Sequence, residues 1–235
     1  IGGIRPGSMP PDAGSLAEEG VVLPPFHLIR EGRDRFDELR ARLGPTGGSP
    51  YPSRAPEVNV ADVSSQVAAA REGRRLLEAL LADAGRERVE FYFDRILSQA
   101  EEWMRKAFSA WSRRETEPVV AEARLDGGER IRVRFESLSG GRVRLDFAGT
   151  SPGTGAFQCP PGVARSAILY ACRLLGGRDM PLNEGILRPV EIRIQEGSLL
   201  SASFGGRDPR EQPPVVAGNV EVSQRLVAVL LRAFR

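Results

Sequence analysis

Val119-Val-Ala-Glu-Ala-Arg-Leu125, Arg130-Ile-Arg-Val-Arg-Phe135 and Arg142-Val-Arg-Leu-Asp-Phe147 alternate polar and apolar residues. That alternation is the mark of strands with one buried and one wet face. Asp126-Gly-Gly and Ser139-Gly-Gly stand between them where hairpin turns belong, so the stretch predicts an antiparallel meander with an Arg-rich solvent face. Upstream the period becomes helical. Asp62 is placed to cap a long helix carrying Val63, Val67, Ala70, Leu77 and Leu81, and Gly85 is placed to stop it. Gly73 interrupts that helix at a cost of ~1 kcal/mol relative to Ala, which close packing against a neighbour would explain. Arg88 to Arg114 forms a second helix with Phe91, Ile96, Ala100, Trp103 and Phe108 on its apolar side. The short Gly-containing joint predicts an antiparallel helical hairpin.

Working outward, residues 1 to about 33 are rich in Gly and Pro and read as irregular, with an extended piece at Val21-Val22-Leu23. Asp34 to Leu43 reads as a short helix, and Gly44 to Pro52 as a turn-rich connector. Beyond the meander, Gly162 to Leu175 has Ala167, Ile168, Ala171 and Leu174 at helical spacing. Val190 to Ile194 reads as a half-buried strand, and Gly218 to Arg235 ends in a helix with Val222, Leu226, Val229 and Leu230 inward. The expected class is α+β: a helical hairpin, then an antiparallel β-meander, then further mixed α/β elements. The expected organisation is a loop region over 1–60, the hairpin over 61–115 and a mixed part over 116–235. A first residue that is Ile, and a last helix without a C-cap, suggest a chain cut from a longer one.

Composition removes several classes of function. The charge is +2, from 33 basic and 31 acidic residues. Arg residues sit beside Asp and Glu, as in Arg30-Glu-Gly-Arg-Asp-Arg35, which reads as solvated faces rather than a nucleic-acid stripe. No apolar run approaches the ~20 residues of a membrane span. Cys159 and Cys172 form no metal-binding pair, and a reducing cytoplasm suits them. His27 is the only histidine and lies among apolar neighbours; a packed, hydrogen-bonded role is expected, and no His triad or multi-His metal site can be built from this stretch.

Asp146 ends a strand just before Gly149-Thr-Ser-Pro-Gly-Thr-Gly155, where it could face a ligand or cap an Asx turn. The Gly-rich run could offer N–H groups to an anion but lacks the lysine and spacing of a P-loop. Asn183, Arg188 and Asn219 are polar residues in apolar or turn settings. They could orient an amide or carboxylate, or they could serve as turn and helix-end residues. Glu18-Glu19 would supply a carboxylate of raised pKa if buried.

Collinear motifs then carry a resemblance. They are Ile1-Gly-Gly-Ile-Arg-Pro-Gly-Ser-Met-Pro10, Glu18-Glu-Gly-Val-Val-Leu-Pro-Pro25, Arg54-Ala-Pro56, Ala61 to Ala69, Leu145-Asp-Phe-Ala-Gly-Thr-Ser151, Asn183-Glu-Gly-Ile-Leu-Arg-Pro189, Glu196 to Leu200 and Val216-Ala-Gly-Asn-Val-Glu-Val-Ser-Gln-Arg225. In this order they resemble the hydantoinase B/5-oxoprolinase family, which includes the alpha subunits of acetone and acetophenone carboxylases. The resemblance implies ATP-dependent chemistry on a small cyclic amide such as a hydantoin or 5-oxoproline. ATP would be used through a hydantoinase A-type subunit or domain, with neither nucleic acid nor membrane as partner.

It also implies a divalent metal in the intact protein, held by a His-His-Ala-Asp run upstream of Ile1 and so outside these residues, which would leave this stretch inactive by itself. Asn183, Arg188 and Asn219 are the candidate substrate or cleft contacts, with Asp146 and Ser8 behind them. Gln158-Cys159, Gln195, Ala61-Asp62 and the Arg207-Pro214 loop depart from the family pattern, which bears on substrate more than on fold. Two other readings fit the same motifs: an alpha-type subunit of a ketone carboxylase, and a non-catalytic assembly module.

Overall fold

The computed structural model describes residues 3, 10, 12–177, 179–204 and 208–235. Strands β3 (Val119–Arg124), β4 (Arg130–Leu138) and β5 (Arg142–Asp146) form the expected antiparallel meander. After β5 the chain passes through α4 (Pro161–Gly176) and returns as β6 (Val190–Arg193), parallel to β5. The sheet order is β3-β4-β5-β6.

Alternation sorts the two faces of this sheet. Ile131, Val133, Phe135, Val143 and Leu145 are buried on one side. On the other, Arg144 donates to Glu136 at 3.0 Å and to Glu191 at 3.1 Å. The Arg-rich face is therefore laced with carboxylates. The apolar face is covered by α3 (Arg86–Ser112), α4 and α5 (Glu221–Ala233). Phe135 is the hub. Its ring lies 4.2 Å from Trp111 of α3, 6.1 Å from Phe108 and 5.2 Å from Phe234 beyond α5.

A second, smaller cluster joins Val21, Leu39, Leu43 and Val60. It explains where α2 (Pro56–Ala84) starts. Asp62 does not cap this helix. Pro56, whose fixed φ suits the first helical position, begins it after Ala55, and the extra turn carries Val60 into the cluster. α1 (Phe36–Leu43) supplies Leu39 and Leu43 to the same cluster. Val21 to Leu23 forms no strand; a two-residue ladder of β1 (Ile29–Arg30) with β2 (Arg33–Asp34) lies just beyond. His27 is exposed rather than packed, because Phe26 and Leu28 on either side turn toward the cluster.

Gly85 joins α2 to α3 with φ +80°, a left-handed value that ends the first helix. The helix pair is present, but its members touch sparsely. Gly73 meets no neighbour within 4 Å, so close packing does not account for it. Only the C-terminal half of α3 lies on the sheet: Ala100, Met104, Phe108 and Trp111 are buried, whereas Phe91 and Ile96 are exposed. Leu174 of α4 likewise points outward, and Cys172 takes the inward place. The terminal helix stops at Ala233, where the Phe234 N–H donates to the Leu230 carbonyl. No described helix is long and apolar enough to cross a membrane.

Phe135 is fully buried among three aromatic rings, so Phe135→Ala should cost about 3–5 kcal/mol. Leu174→Ala, at an exposed site, should change stability by less than about 0.5 kcal/mol. Urea unfolding of the two variants checks the contrast.

Candidate functional site

Segments far apart in sequence meet at one end of the fold. Residues 12–20 form a strap with a 3-10 turn at Leu16–Glu19. The Leu16 N–H donates to the Gln212 carbonyl at 3.0 Å and the Ala17 N–H to the Pro209 carbonyl at 3.1 Å. Glu19 then reaches across, and its Oε1 accepts from the N–H groups of Val215 at 2.6 Å and Val216 at 2.8 Å. Those two amides open the 3-10 turn Val216–Asn219 that leads into α5. Glu19 therefore caps the turn from outside, a task usually left to a residue just before it. Partial burial pushes the Glu19 carboxyl above its ordinary range, and the two amides pull it partly back. Glu18 is spent locally, accepting from the Gly14 N–H at 3.0 Å and the Ser15 hydroxyl at 3.3 Å.

The same turn presses on the loop after β5. The Ala217 N–H donates to the Ala156 carbonyl at 3.2 Å. A Cβ at Gly218 would overlap the Gln158 carbonyl and the Cys159 Cα, so only glycine permits this approach. Gln158 is buried, and its amide donates to the Gly155 carbonyl at 3.1 Å. Cys159 pairs by backbone with Leu199 and Ala202, binding in the turn after β6. An open, polar cleft of about 400 Å³ results, lined by Thr154, Gln158, Ser203, Arg210 and Gln212 among others. Beside α5 a second groove, of about 520 Å³, is lined by Ser166, Tyr170, Asn219, Ser223 and Gln224 over an apolar floor that includes Val163 and Val227.

The Gly149–Gly155 run does not act as an anion cradle through its leading amides. The N–H groups of Thr150, Ser151 and Gly153 donate to Phe147, Arg130 and Gly197 carbonyls. The hydroxyls of Thr150 and Ser151 accept from the Arg132 and Arg130 N–H groups. Arg132 and Arg130 in turn donate their guanidinium N–H groups to the carbonyls of Ala148 and Gly149. These arginines hold the loop to the sheet.

The predicted residues do not gather at one place. Asp146 caps its own turn, accepting from the Ala148 N–H at 2.9 Å. Asn183 caps the 3-10 turn Glu184–Leu187, accepting from the Gly185 N–H at 2.8 Å, and donates to the Ile96 carbonyl of α3 at 3.3 Å. Arg188 pairs with Asp94 at 3.7 Å and Glu101 at 3.6 Å, also on α3. Asn183 and Arg188 thus fasten the 183–189 motif to α3. Asn219 is exposed and lines the groove beside α5. Ser8 lies outside the described residues.

Gln158, marked in the sequence only as a departure from the family pattern, lines the polar cleft, and Tyr170 and Ser223, which nothing in the sequence singles out, line the groove beside α5. Only the meeting of distant elements places them there. Both thiols are poor nucleophiles here, because burial pushes Cys159 and Cys172 up to about 12. Among the described residues no group of three His, Cys, Asp or Glu is placed to hold a metal. The resemblance puts the ligands of its divalent metal upstream of Ile1, so the described residues neither hold that metal nor bear on it.

Comparison with known proteins agrees with these motifs. A family model described as Hydantoinase B/oxoprolinase matches residues 1–235. The chain is 35% identical over 241 residues to the 5-oxoprolinase of Saccharomyces cerevisiae, covering 100% of this chain and 18% of that protein. It is 32% identical over 253 residues to 5-oxoprolinase 1 of Arabidopsis thaliana, covering 100% of this chain and 19% of that one. It spans about a fifth of the length of these relatives. The ATP-dependent caprolactamase of Pseudomonas jessenii shares its fold, with a TM-score of 0.77 at 22% identity over 99% of this chain and 38% of that chain. The chain belongs to the hydantoinase B/oxoprolinase family.

Glu19→Ala strands two part-buried amides and should cost about 1–3 kcal/mol, whereas Glu19→Gln keeps the accepting oxygen and should cost less. A carboxyl raised in the folded state binds its proton more tightly there than in the unfolded chain. Its contribution to stability is thus full below the unfolded pKa and fades as pH rises through the folded one. Glu19→Gln should remove that slope, which urea unfolding at several pH values from 4 upward would show. Gly218→Ala should cost about 1–3 kcal/mol through overpacking.

Proposed function

We propose that this chain forms part of an ATP-dependent hydrolase of cyclic amides, of the 5-oxoprolinase or hydantoinase type, and that it supplies the B-type portion. The observation that carries the reading is convergence. The family motifs at 18–25, 145–151, 196–200 and 216–225 lie in or beside the strap, the loop after β5, the turn after β6 and the turn before α5; Gly197 lines the polar cleft with Gly14, Thr154 and Gln158, and Asn219 lines the separate groove beside α5.

The chemistry fits that arrangement. An unstrained cyclic amide is a poor electrophile, and water does not open it readily. In this reading an A-type subunit or domain transfers the terminal phosphoryl group of ATP to the amide oxygen. Water adds to the carbon of the resulting phosphorylated imidate, the ring C–N bond breaks as its nitrogen takes a proton, and a second water releases phosphate to leave the carboxylate; the B-type portion completes this ring opening. This chain's own part is to bind and orient. Asn219 offers both a donor and an acceptor to an amide edge, and Ser166, Tyr170 and Ser223 add hydroxyls in the same groove. No step is assigned to a metal, since the described residues provide no donor set for one.

The test is ATP-dependent ring opening by the full chain with an A-type partner, on 5-oxoproline and hydantoin in parallel. Asn219→Ala should lower kcat/KM by about 10–100-fold, a loss of roughly 1.4–2.7 kcal/mol of transition-state stabilisation. Arg188→Ala should lower thermal stability while leaving kcat/KM within about threefold, because its partners lie on α3. Unchanged activity in Asn219→Ala would remove this groove from the site. Bicarbonate-dependent carboxylation of a ketone, without amide hydrolysis, would move the protein to the carboxylase branch.

A further inference from the structure

Asn219 lines the groove beside α5, yet among the described residues its side-chain amide makes no hydrogen bond. Only its backbone is held. The Ser223 hydroxyl donates to the Asn219 carbonyl at 2.9 Å, and Asn219 is the last residue of the 3-10 turn Val216–Asn219. Where the amide points is therefore decided by that turn.

The turn closes on itself through two bonds. The Gly218 N–H donates to the Val215 carbonyl at 3.0 Å and the Val220 N–H to the Ala217 carbonyl at 3.3 Å. Its middle is tied to the loop after β5, where the Ala217 N–H meets the Ala156 carbonyl. Its head is different. The amides that open a helical turn find no acceptor within it. For Val215 and Val216 the acceptor is one oxygen of Glu19, at 2.6 and 2.8 Å. The head cannot swing without breaking two charge-assisted bonds at once. Nor can Glu19 follow it, because the strap is pinned separately, by Leu16 to Gln212 and by Ala17 to Pro209.

We propose that Glu19 is a positioning residue for Asn219, a role that rests on the groove beside α5 being the substrate site. Glu19 touches no ligand. It fixes the head of the turn whose far end presents the Asn219 amide, and it does so from a strap some two hundred residues away in sequence. Misplacing a contact group by about 1 Å can cost as much as removing it. A turn that has lost its head anchor keeps its own two bonds and still folds, but it holds Asn219 in no single direction.

The experiment is a double-mutant cycle on the full chain with an A-type partner, read as ATP-dependent opening of 5-oxoproline and of hydantoin. Glu19→Ala should lower kcat/KM about tenfold, and Glu19→Gln, which keeps the accepting oxygen, should stay within about threefold of wild type. Glu19→Ala/Asn219→Ala should fall no further than Asn219→Ala alone, within about twofold, because the first residue acts through the second. A cap that only stabilises the fold would give losses that multiply. Glu18→Ala is the control: Glu18 bonds only within the strap, to Gly14 and Ser15, and its loss should leave activity within about twofold. Hydrogen exchange of residues 215–224 in the same complexes reads the turn directly. Exchange there should quicken at least about tenfold in Glu19→Ala and stay unchanged in Glu18→Ala. Glu19→Asp retains the charge but not the reach, and it replaces Glu19→Ala in both measurements if that variant does not fold. Multiplying losses in the cycle, or unchanged exchange over 215–224, would overturn the role of Glu19 and leave the groove standing. Wild-type activity in Asn219→Ala would remove both.

Discussion

Phe135 occupies the central position on the buried face of a strand paired on both sides, opposite Val119 on β3 and Leu145 on β5. Its ring meets Trp111, Phe108 and Phe234, and through them α3 and the chain end beyond α5 are set against the sheet. A one-residue slip of β4 would turn Phe135, Val133 and Ile131 to solvent and bring their arginine neighbours inside. Unpaired buried charge costs far more than any gain in strand pairing. The register of the meander is thus fixed by the core, and with it the place where β5 ends and the loop after it begins. Every polar group in the cleft region depends on that placement.

The loops at the β5 end are ordered by spending their own polarity. Thr150, Ser151 and the guanidinium groups of Arg130 and Arg132 are committed to backbone partners. Glu19 does the same for the turn at Val216. Asn219, by contrast, is exposed and lines the groove beside α5.

Much of this was legible in the sequence. Period-two alternation with Gly-Gly turns gave the meander, and helical spacing gave α3, α4 and α5. The α+β class holds. The failures have physical causes. Pro56 outcompeted Asp62 because an extra helical turn buries Val60. Phe91 and Ile96 carry a valid apolar stripe that no part of these residues covers, and local spacing cannot reveal the length of the surface it must match. Asn183 takes the turn role that its sequence setting allowed, but the contacts that it and Arg188 make to α3, about 87 positions away, could not be read from local spacing. Glu19 was noticed as conditional on burial, and burial supplied the condition. Asn219 stood out as a polar residue in an apolar setting as well as through its motif; the groove it lines is completed by α4, which local sequence could not show.

The Glu19 contact spans 196 residues. At synthesis rates of about 5–20 residues per second, the strap emerges roughly 10–40 s before the amides it will cap. For that interval residues 12–20 carry carbonyls, amides and a carboxylate with no lasting partner, and hydration is their resting state. The small and polar residues of Asp12-Ala-Gly-Ser-Leu-Ala-Glu-Glu-Gly20 suit a piece of chain that must wait, hydrated and uncommitted, until the residues around Val215 arrive to receive it.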